Sequence, residues 1–210
     1  MANPTTFPGD VVVTGDVRIS GSITPLMNKS AILALEEHEK LVPFDSWRVW
    51  DAFTTNLPAT PATDDLGLVG GTFTTNSPSI QTVDAGGTST TAYARAAIEV
   101  PQDYVSGQSF KIRFHAGMHT TIADTTCTLD LSVYRSDEER GISADLAAAA
   151  VANNIKSLTY ADVDFVITAT TLTPGDLLDV RISINVVDSG DLGADISGVI
   201  GAVKLVYNGR

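Results

Sequence analysis

Between Leu178 and Val186 every second residue is apolar (Leu178, Val180, Ile182, Ile184, Val186), and Asp179, Arg181, Ser183 and Asn185 fill the places between. Successive side chains on an extended chain point to opposite faces, so this run is a strand with one face in a core and the other in water. A helix would scatter the same residues around its whole circumference. The alternation recurs where Phe110, Ile112 and Phe114 oppose Lys111, Arg113 and His115, and where Leu129, Leu131 and Val133 oppose Thr128, Asp130 and Ser132. The clearest strand segments are Ala92 to Val100, Gln108 to Met118, Thr126 to Arg135, Thr159 to Thr170, Asp176 to Val187 and Ser197 to Asn208, with weaker ones near Leu66 and Ile80. About eight strands fit a mainly β, antiparallel jelly-roll sandwich over residues 79–210.

Thr171-Leu172-Thr173-Pro174-Gly175-Asp176 marks a turn between two of these strands, because proline presets φ at one position and glycine tolerates positive φ at the next. Two segments break the alternation and read as short helices. Asn28 to Lys40 has Asn28 or Ser30 as a cap, an apolar end in Ile32, Leu33 and Leu35, and Pro43 to close it. Ala144 to Ala152 is rich in alanine, the best helix former, with Ser143 as a cap, and is expected to lie across one edge of the sandwich. Residues 44–78 hold Pro58, Pro61, Pro78 and Gly70-Gly71, which forbid long regular structure, so they read as a connector anchored by its aromatic residues.

Near the start, glycine recurs every sixth residue, at Gly9, Gly15 and Gly21, with Val11 and Val13, Val17 and Ile19, and then Ile23 between them. Three rungs of this size cannot build a core. An apolar edge repeated this way is satisfied if identical chains wind about a common axis, which assigns Val11, Val13, Val17, Ile19 and Ile23 to a trimeric β stalk. The alternative is a hairpin folded back on its own domain. Residues 1–43 thus read as an arm, stalk and short helix serving oligomerisation and anchoring.

Charge narrows the partners. With 25 acidic against 13 basic residues, a net charge of −12 and no basic cluster beyond pairs such as Lys111 and Arg113, the chain is expected to repel a nucleic-acid backbone. Cys127 is the single cysteine, at the start of a strand pattern, so it reads as a buried thiol with no internal disulfide and no thiolate metal cluster. Pro4, Pro8, Gly9 and Asp10 replace the basic start and apolar centre of a secretory signal, and no apolar run reaches the ~20 residues of a membrane span. The expectation is synthesis in a cytoplasm, with no membrane partner.

No segment carries a catalytic signature. The histidines are His38, in the polar half of the first expected helix, and His115 and His119, which flank Gly117-Met118 at a strand end. None sits in a nucleophile motif, and the spacing of His115 and His119 suits zinc only on a helix. Asp188, Asp191 and Asp195 share a glycine-rich loop that offers oxygen ligands to calcium but lacks the closing bidentate glutamate, so it reads as a solvated hairpin loop. Asp64-Asp65, Asp45 and Asp51 offer carboxylates for glycoside hydrolysis, but nothing in the sequence fixes their separation. Gly86-Gly87 precedes a strand, which gives no phosphate cradle. The sequence is therefore expected to hold no catalytic residues, no cofactor and no metal.

The chain resembles virion proteins of tailed bacteriophages that join a small N-terminal oligomerisation element to a jelly-roll body, including capsid cement or decoration proteins and head fibres. The likeness is carried by Phe7-Pro8-Gly9-Asp10-Val11 with its glycine rungs, by Leu57-Pro58-Ala59-Thr60 leading to Asp64-Asp65-Leu66-Gly67-Leu68, and by Leu172-Thr173-Pro174-Gly175-Asp176. It implies a homotrimer on the capsid surface that binds the major capsid protein lattice and stabilises the head against internal pressure. Tail, fibre and baseplate subunits use the same building blocks. A second expectation is a carbohydrate-binding or receptor-binding module in which Trp47, Trp50, Tyr93 and Tyr104 stack on sugar rings, although Trp47 and Trp50 are expected to pack inward. A β-sandwich hydrolase is the third and weakest reading.

Overall fold

The computed structural model describes residues 35–121, 125–136, 139–190 and 195–210. Val11, Val13, Val17, Ile19, Ile23 and Asp191 lie outside them, as does the start of the expected helix at Asn28. The chain divides into residues 1–34 and a compact unit from Leu35 to Arg210.

The described strands are β1 (Glu36–Leu41), β2 (Trp47–Arg48), β3 (Gly67–Val69), β4 (Ser79–Gln81), β5 (Ser89–Glu99), β6 (Phe110–Met118), β7 (Thr126–Arg135), β8 (Asn153–Asn154), β9 (Ala161–Val166), β10 (Leu177–Val187) and β11 (Gly198–Gly209). They form two antiparallel sheets. One runs β3-β4-β11-β6-β9, with β1 also paired to β11, and the other runs β2-β5-β10-β7-β8. The last eight strands interleave as 4-11-6-9 and 5-10-7-8, the strand order of a jelly roll. Each long strand coincides with an alternating segment, and the weak signals at Leu66 and Ile80 become β3 and β4.

The core lies between the sheets. Phe110, Ile112 and Phe114 of β6, with Phe165 of β9, face Leu129 and Leu131 of β7 and Val180, Ile182 and Ile184 of β10, all buried. Phe114 and Phe165 meet edge to face with centroids 5.7 Å apart, a geometry that adds to simple burial. The inner face of β5 is a row of buried alanines, Ala92, Ala94 and Ala96, and Ala96 lies cross-strand from Trp47, which is 1% exposed. Small residues there leave volume for the indole and for the phenyl rings of the opposite sheet. Gly198 marks a close approach between the sheets: a Cβ there would stand 2.5 Å from Ile184 Cγ2 and 2.9 Å from Cys127 Sγ. The turn after Leu172 forms as expected, with Gly175 at φ 88° and the Thr173 N–H donating to Asp176 Oδ2 at 2.8 Å.

Both expected helices are corrected. The second half of the first, from Glu36 to Lys40, belongs to strand β1 (Glu36–Leu41), antiparallel to residues 204–209 of β11. β11 is twelve residues long and pairs β4 only at Val199 and Ile200, so most of that edge would otherwise hold unpaired N–H and C=O groups. A short helix is marginal alone, and the β11 edge outweighs its propensity. Ala144 to Ala152 forms turns leading into β8. Asp145 Oδ1 accepts from the N–H groups of Val133 and Ala147, and the Leu146 N–H donates to the Val133 carbonyl at 2.7 Å. Those bonds fasten the segment across the sandwich edge and compete directly with helical ones. Among the described residues no helix is long and apolar enough to cross a membrane.

Cys127 is fully buried and its thiol is pushed up to about 12 by desolvation. A thiol reagent at about pH 8 is therefore expected to label it only after unfolding, since the thiolate is the reactive form. Labelling of the native protein as fast as of the protein in denaturant would contradict this packing.

Candidate functional site

The two outer faces of the sandwich differ in kind. On the six-stranded sheet, charges from four strands close on one another. Glu39 of β1 accepts from Lys204 of β11 at 2.6 Å and from Arg113 of β6 at 2.8 Å. Arg113 also forks onto Asp164 of β9, at 2.6 and 2.9 Å. Lys111 lies 3.6 Å from Asp164, and His115 lies 2.7 Å from Asp162. Every cation named here has a carboxylate, so this face has few polar groups to offer a ligand.

The five-stranded sheet presents a different surface. Register places the outward residues of β5, β10 and β7 in cross-strand rows: Ala97, Asp179 and Tyr134; Arg95, Arg181 and Ser132; Tyr93, Ser183 and Asp130; Thr91, Asn185 and Thr128. Arg95 Nε donates to Asp179 Oδ1 at 2.7 Å and its Nη2 to Oδ2, a bidentate pair. The Arg181 guanidinium lies 5.6 Å from the Tyr93 ring centroid, and Arg95 lies 5.1 Å from that of Phe53. Trp50, just past β2, packs on Tyr93 at 5.2 Å with the rings tilted by 47°. Together Trp50, Asp51, Arg95, Tyr134, Asp179 and Arg181 line a cleft of about 300 Å³. An adjoining cleft of about 290 Å³ shares Arg95 and Asp179 and extends to Phe53 and Arg140. These volumes are at the small end of ligand sites, roughly 300 Å³ upward.

The aromatic residues named from sequence separate here. Trp47 packs inward, as expected. Trp50 is only half-buried and lines the cleft, its Nε1 buried without a hydrogen-bond partner among the described residues. Tyr93 is half-buried on the same face. Tyr104 is 3% exposed and its hydroxyl donates to the Gln108 carbonyl at 2.9 Å, so it belongs to the core rim and cannot stack on a ligand.

The titratable candidates are also placed. His38 is on β1 and not on a helix, with Nδ1 2.9 Å from Asp103 and its ring 5.6 Å from that of Tyr207. His119 Nδ1 lies 3.2 Å from Asp195 Oδ2, and the Ser197 hydroxyl donates to Asp195 Oδ1 at 2.6 Å. That order sets the carboxylate between serine and imidazole, so the base cannot take the serine proton as a triad requires. Asp188 is 3% exposed, and its Oδ2 accepts from the Gly87 N–H at 2.8 Å; it ties two loops together where a solvated hairpin was expected. No group of three or more metal-ligating side chains occurs among the described residues. Burial, then the charges of Asp64 and Asp51, push the Asp65 carboxyl up, and its backbone bridges Tyr93 of β5. Asp45 sits in an exposed turn at Phe44–Ser46.

Arg95, Tyr134, Asp179, Arg181 and Phe53 were not singled out from the sequence. The signal available was that outward positions of β5, β7 and β10 hold tyrosine, arginine and aspartate, but only cross-strand register puts them together.

No protein-family model matches the chain, and no curated protein matches it. Among solved structures it is similar to TmCBM61 in complex with β-1,4-galactotriose, at 13% identity and TM-score 0.42, covering 78% of this chain and 90% of that one. It is also similar to the CBM22-2 xylan-binding domain of Paenibacillus barcinonensis Xyn10C, at 14% identity and TM-score 0.41, covering 79% and 93%. A third is TmCBM27, a carbohydrate-binding module that recognises mannan, at 12% identity and TM-score 0.40, covering 83% and 97%.

The closed face makes a testable claim about acid stability. The Arg113 guanidinium, with Lys111 beside it, holds the Asp164 carboxyl below its ordinary value. A depressed carboxylate stabilises the fold above its unfolded value, about 3.9, and that stability is lost as pH falls through the lower folded value. Asp164→Asn is expected to cost less than about 1 kcal/mol near pH 7 and to flatten the stability decline between about pH 5 and pH 3, read by denaturant unfolding. An acid limb identical to that of the unsubstituted protein would show that the pair contributes nothing.

Proposed function

We propose that the chain is a non-catalytic carbohydrate-binding module that takes its ligand across the outer face of the five-stranded sheet. The observation that supports this is the cleft itself. Trp50 and Tyr134 flank a floor of Arg95, Asp179 and Arg181, on strands held rigid by pairing on both sides. A sugar ring has apolar C–H faces and a belt of hydroxyls, so it needs an aromatic surface beside donors and acceptors. Here the rings of Trp50 and Tyr134 take the C–H face, the guanidiniums donate to hydroxyl oxygens, and Asp179 and Asp51 accept hydroxyl protons. A preformed face loses little conformational entropy on binding.

Trp50→Ala and Tyr134→Ala are each expected to weaken binding of a glycan selected from an array by about tenfold, the scale of one aromatic contact of roughly 1.4 kcal/mol. Isothermal titration reads the change. Absence of any binder at millimolar affinity, or binding unaltered in both variants, would remove this reading.

A second reading, a homotrimeric cement or decoration protein of a tailed phage that binds the major capsid protein lattice, is favoured by one sequence observation, the six-residue glycine period at Gly9, Gly15 and Gly21. Under it Val11, Val13, Val17, Ile19 and Ile23 line a threefold axis. Light scattering is expected to give about 66 kDa for three copies of the 22.1 kDa chain, falling to the monomer when residues 1–25 are removed. Val17→Asp is expected to do the same, because three carboxylates brought to a dry axis cost several kcal/mol. A monomer in every case would remove the stalk and with it the multivalent contact to a lattice.

A further inference from the structure

The cleft lining holds two guanidiniums, Arg95 and Arg181, and two carboxylates, Asp51 and Asp179, but the cations are not treated alike. Arg181 is exposed on the central strand β10, and its partner among the described residues is the Tyr93 ring. No carboxylate comes within ion-pair distance of it among those residues. Directly across β5 stands a second guanidinium, Arg95, and across β7 stands Ser132. Like charges directly cross-strand repel. Asp179, the carboxylate beside them, is already taken in both oxygens by Arg95. The opposite sheet shows how this chain treats cations it keeps for structure: Lys111, Arg113 and Lys204 each have a carboxylate partner.

From this arrangement we infer that the cleft selects a carboxylate-bearing saccharide, a sugar of uronic-acid type, whose carboxylate pairs with Arg181 while its ring lies against Trp50 and Tyr134. The inference rests on the reading of this face as a glycan surface and adds the ligand class to it. A planar guanidinium matches a carboxylate by two parallel N–H···O bonds. The Tyr93 ring, 5.6 Å from the guanidinium carbon, attracts the cation and favours this placement of the side chain before the ligand arrives. The anion also relieves the repulsion between Arg181 and Arg95. Asp51, at the Trp50 end of the cleft, accepts hydroxyl protons from the same sugar but repels its carboxylate, which therefore has one favoured orientation, toward Arg181. The chain as a whole carries −12, so long-range steering opposes an acidic ligand and selection depends on this local contact.

The experiment is an array of paired glycans, each acidic oligosaccharide spotted beside its own methyl ester, which keeps size and hydroxyls and removes only the charge. Full-length protein is expected to bind at least one acidic member about tenfold or more tightly than its ester. Arg181→Gln is expected to abolish the difference within that pair, and Arg181→Lys to restore part of it, since a point cation keeps the charge without the fork. The thermal unfolding midpoint of each variant, expected to be unchanged at so exposed a site, shows that the fold is intact. Binding of acid and ester alike, or an acid preference that survives Arg181→Gln, overturns the inference and leaves the glycan reading standing. Binding to no member of the array overturns both.

Discussion

The register of β10 is the constraint on which the rest of the molecule depends. This strand is paired along its length with β5 on one side and β7 on the other. A slip of one residue would turn Leu178, Val180, Ile182, Ile184 and Val186 out into water, at about 1.5 to 3 kcal/mol for each large side chain exposed. The same slip would scatter the rows that set Arg181 beside Arg95 and Asp179 beside Tyr134. Burial on the inner face thus fixes the chemistry of the outer face. No separate device is required to hold the cleft residues in place, because the core does it.

Much of this was legible in the sequence, and the reason is period. Alternation over nine or more residues has one physical meaning, and β5, β6, β7, β10 and β11 were found from it. The failures have a common cause too. Leu35-Glu36-Glu37-His38-Glu39-Lys40 is a good helical string with no alternation, and what makes Glu36–Leu41 a strand is the unpaired edge of β11, about 165 residues away in the chain. Ala144 to Ala152 has high helix propensity, yet one carboxylate, Asp145, holds it in turns by accepting bonds from Val133 and Ala147. Both are tertiary effects that a local reading cannot contain. The cleft is intermediate between these cases: Arg95, Tyr134, Asp179 and Arg181 were visible as outward strand positions, but they come from three strands whose lateral alignment only the fold supplies, and Trp50 was expected to pack inward.

The two outer faces show two uses of the same residue types. On the six-stranded sheet arginine, lysine and carboxylates satisfy one another across β1, β11, β6 and β9. Each exposed pair contributes little to stability, but the arrangement also covers an edge strand with charge, which discourages strand-to-strand aggregation. On the five-stranded sheet aromatic rings are interleaved with the charges, and one guanidinium, Arg181, has no ion-pair partner among the described residues. Desolvating polar groups is the main cost of binding a polar ligand, and it is smallest where those groups are already oriented by neighbours. Arg95 is oriented by Asp179 and Arg181 by Tyr93, so the donors of this face are set by contacts that do not block the cleft.

A shallow cleft of about 300 Å³ has a further physical consequence. A ligand lying on an open sheet remains partly solvated, so a single site gains a few contacts and its affinity is modest. Presentation of the face in several copies changes that arithmetic. Once one copy is engaged, its neighbours meet a repeating ligand at an effective concentration set by their spacing, and avidity can exceed single-site affinity by about 10² to 10⁴ without any new contact. The glycine-punctuated segment around Val11, Val17 and Ile23 and the aromatic face around Trp50 and Arg181 are therefore complementary proposals.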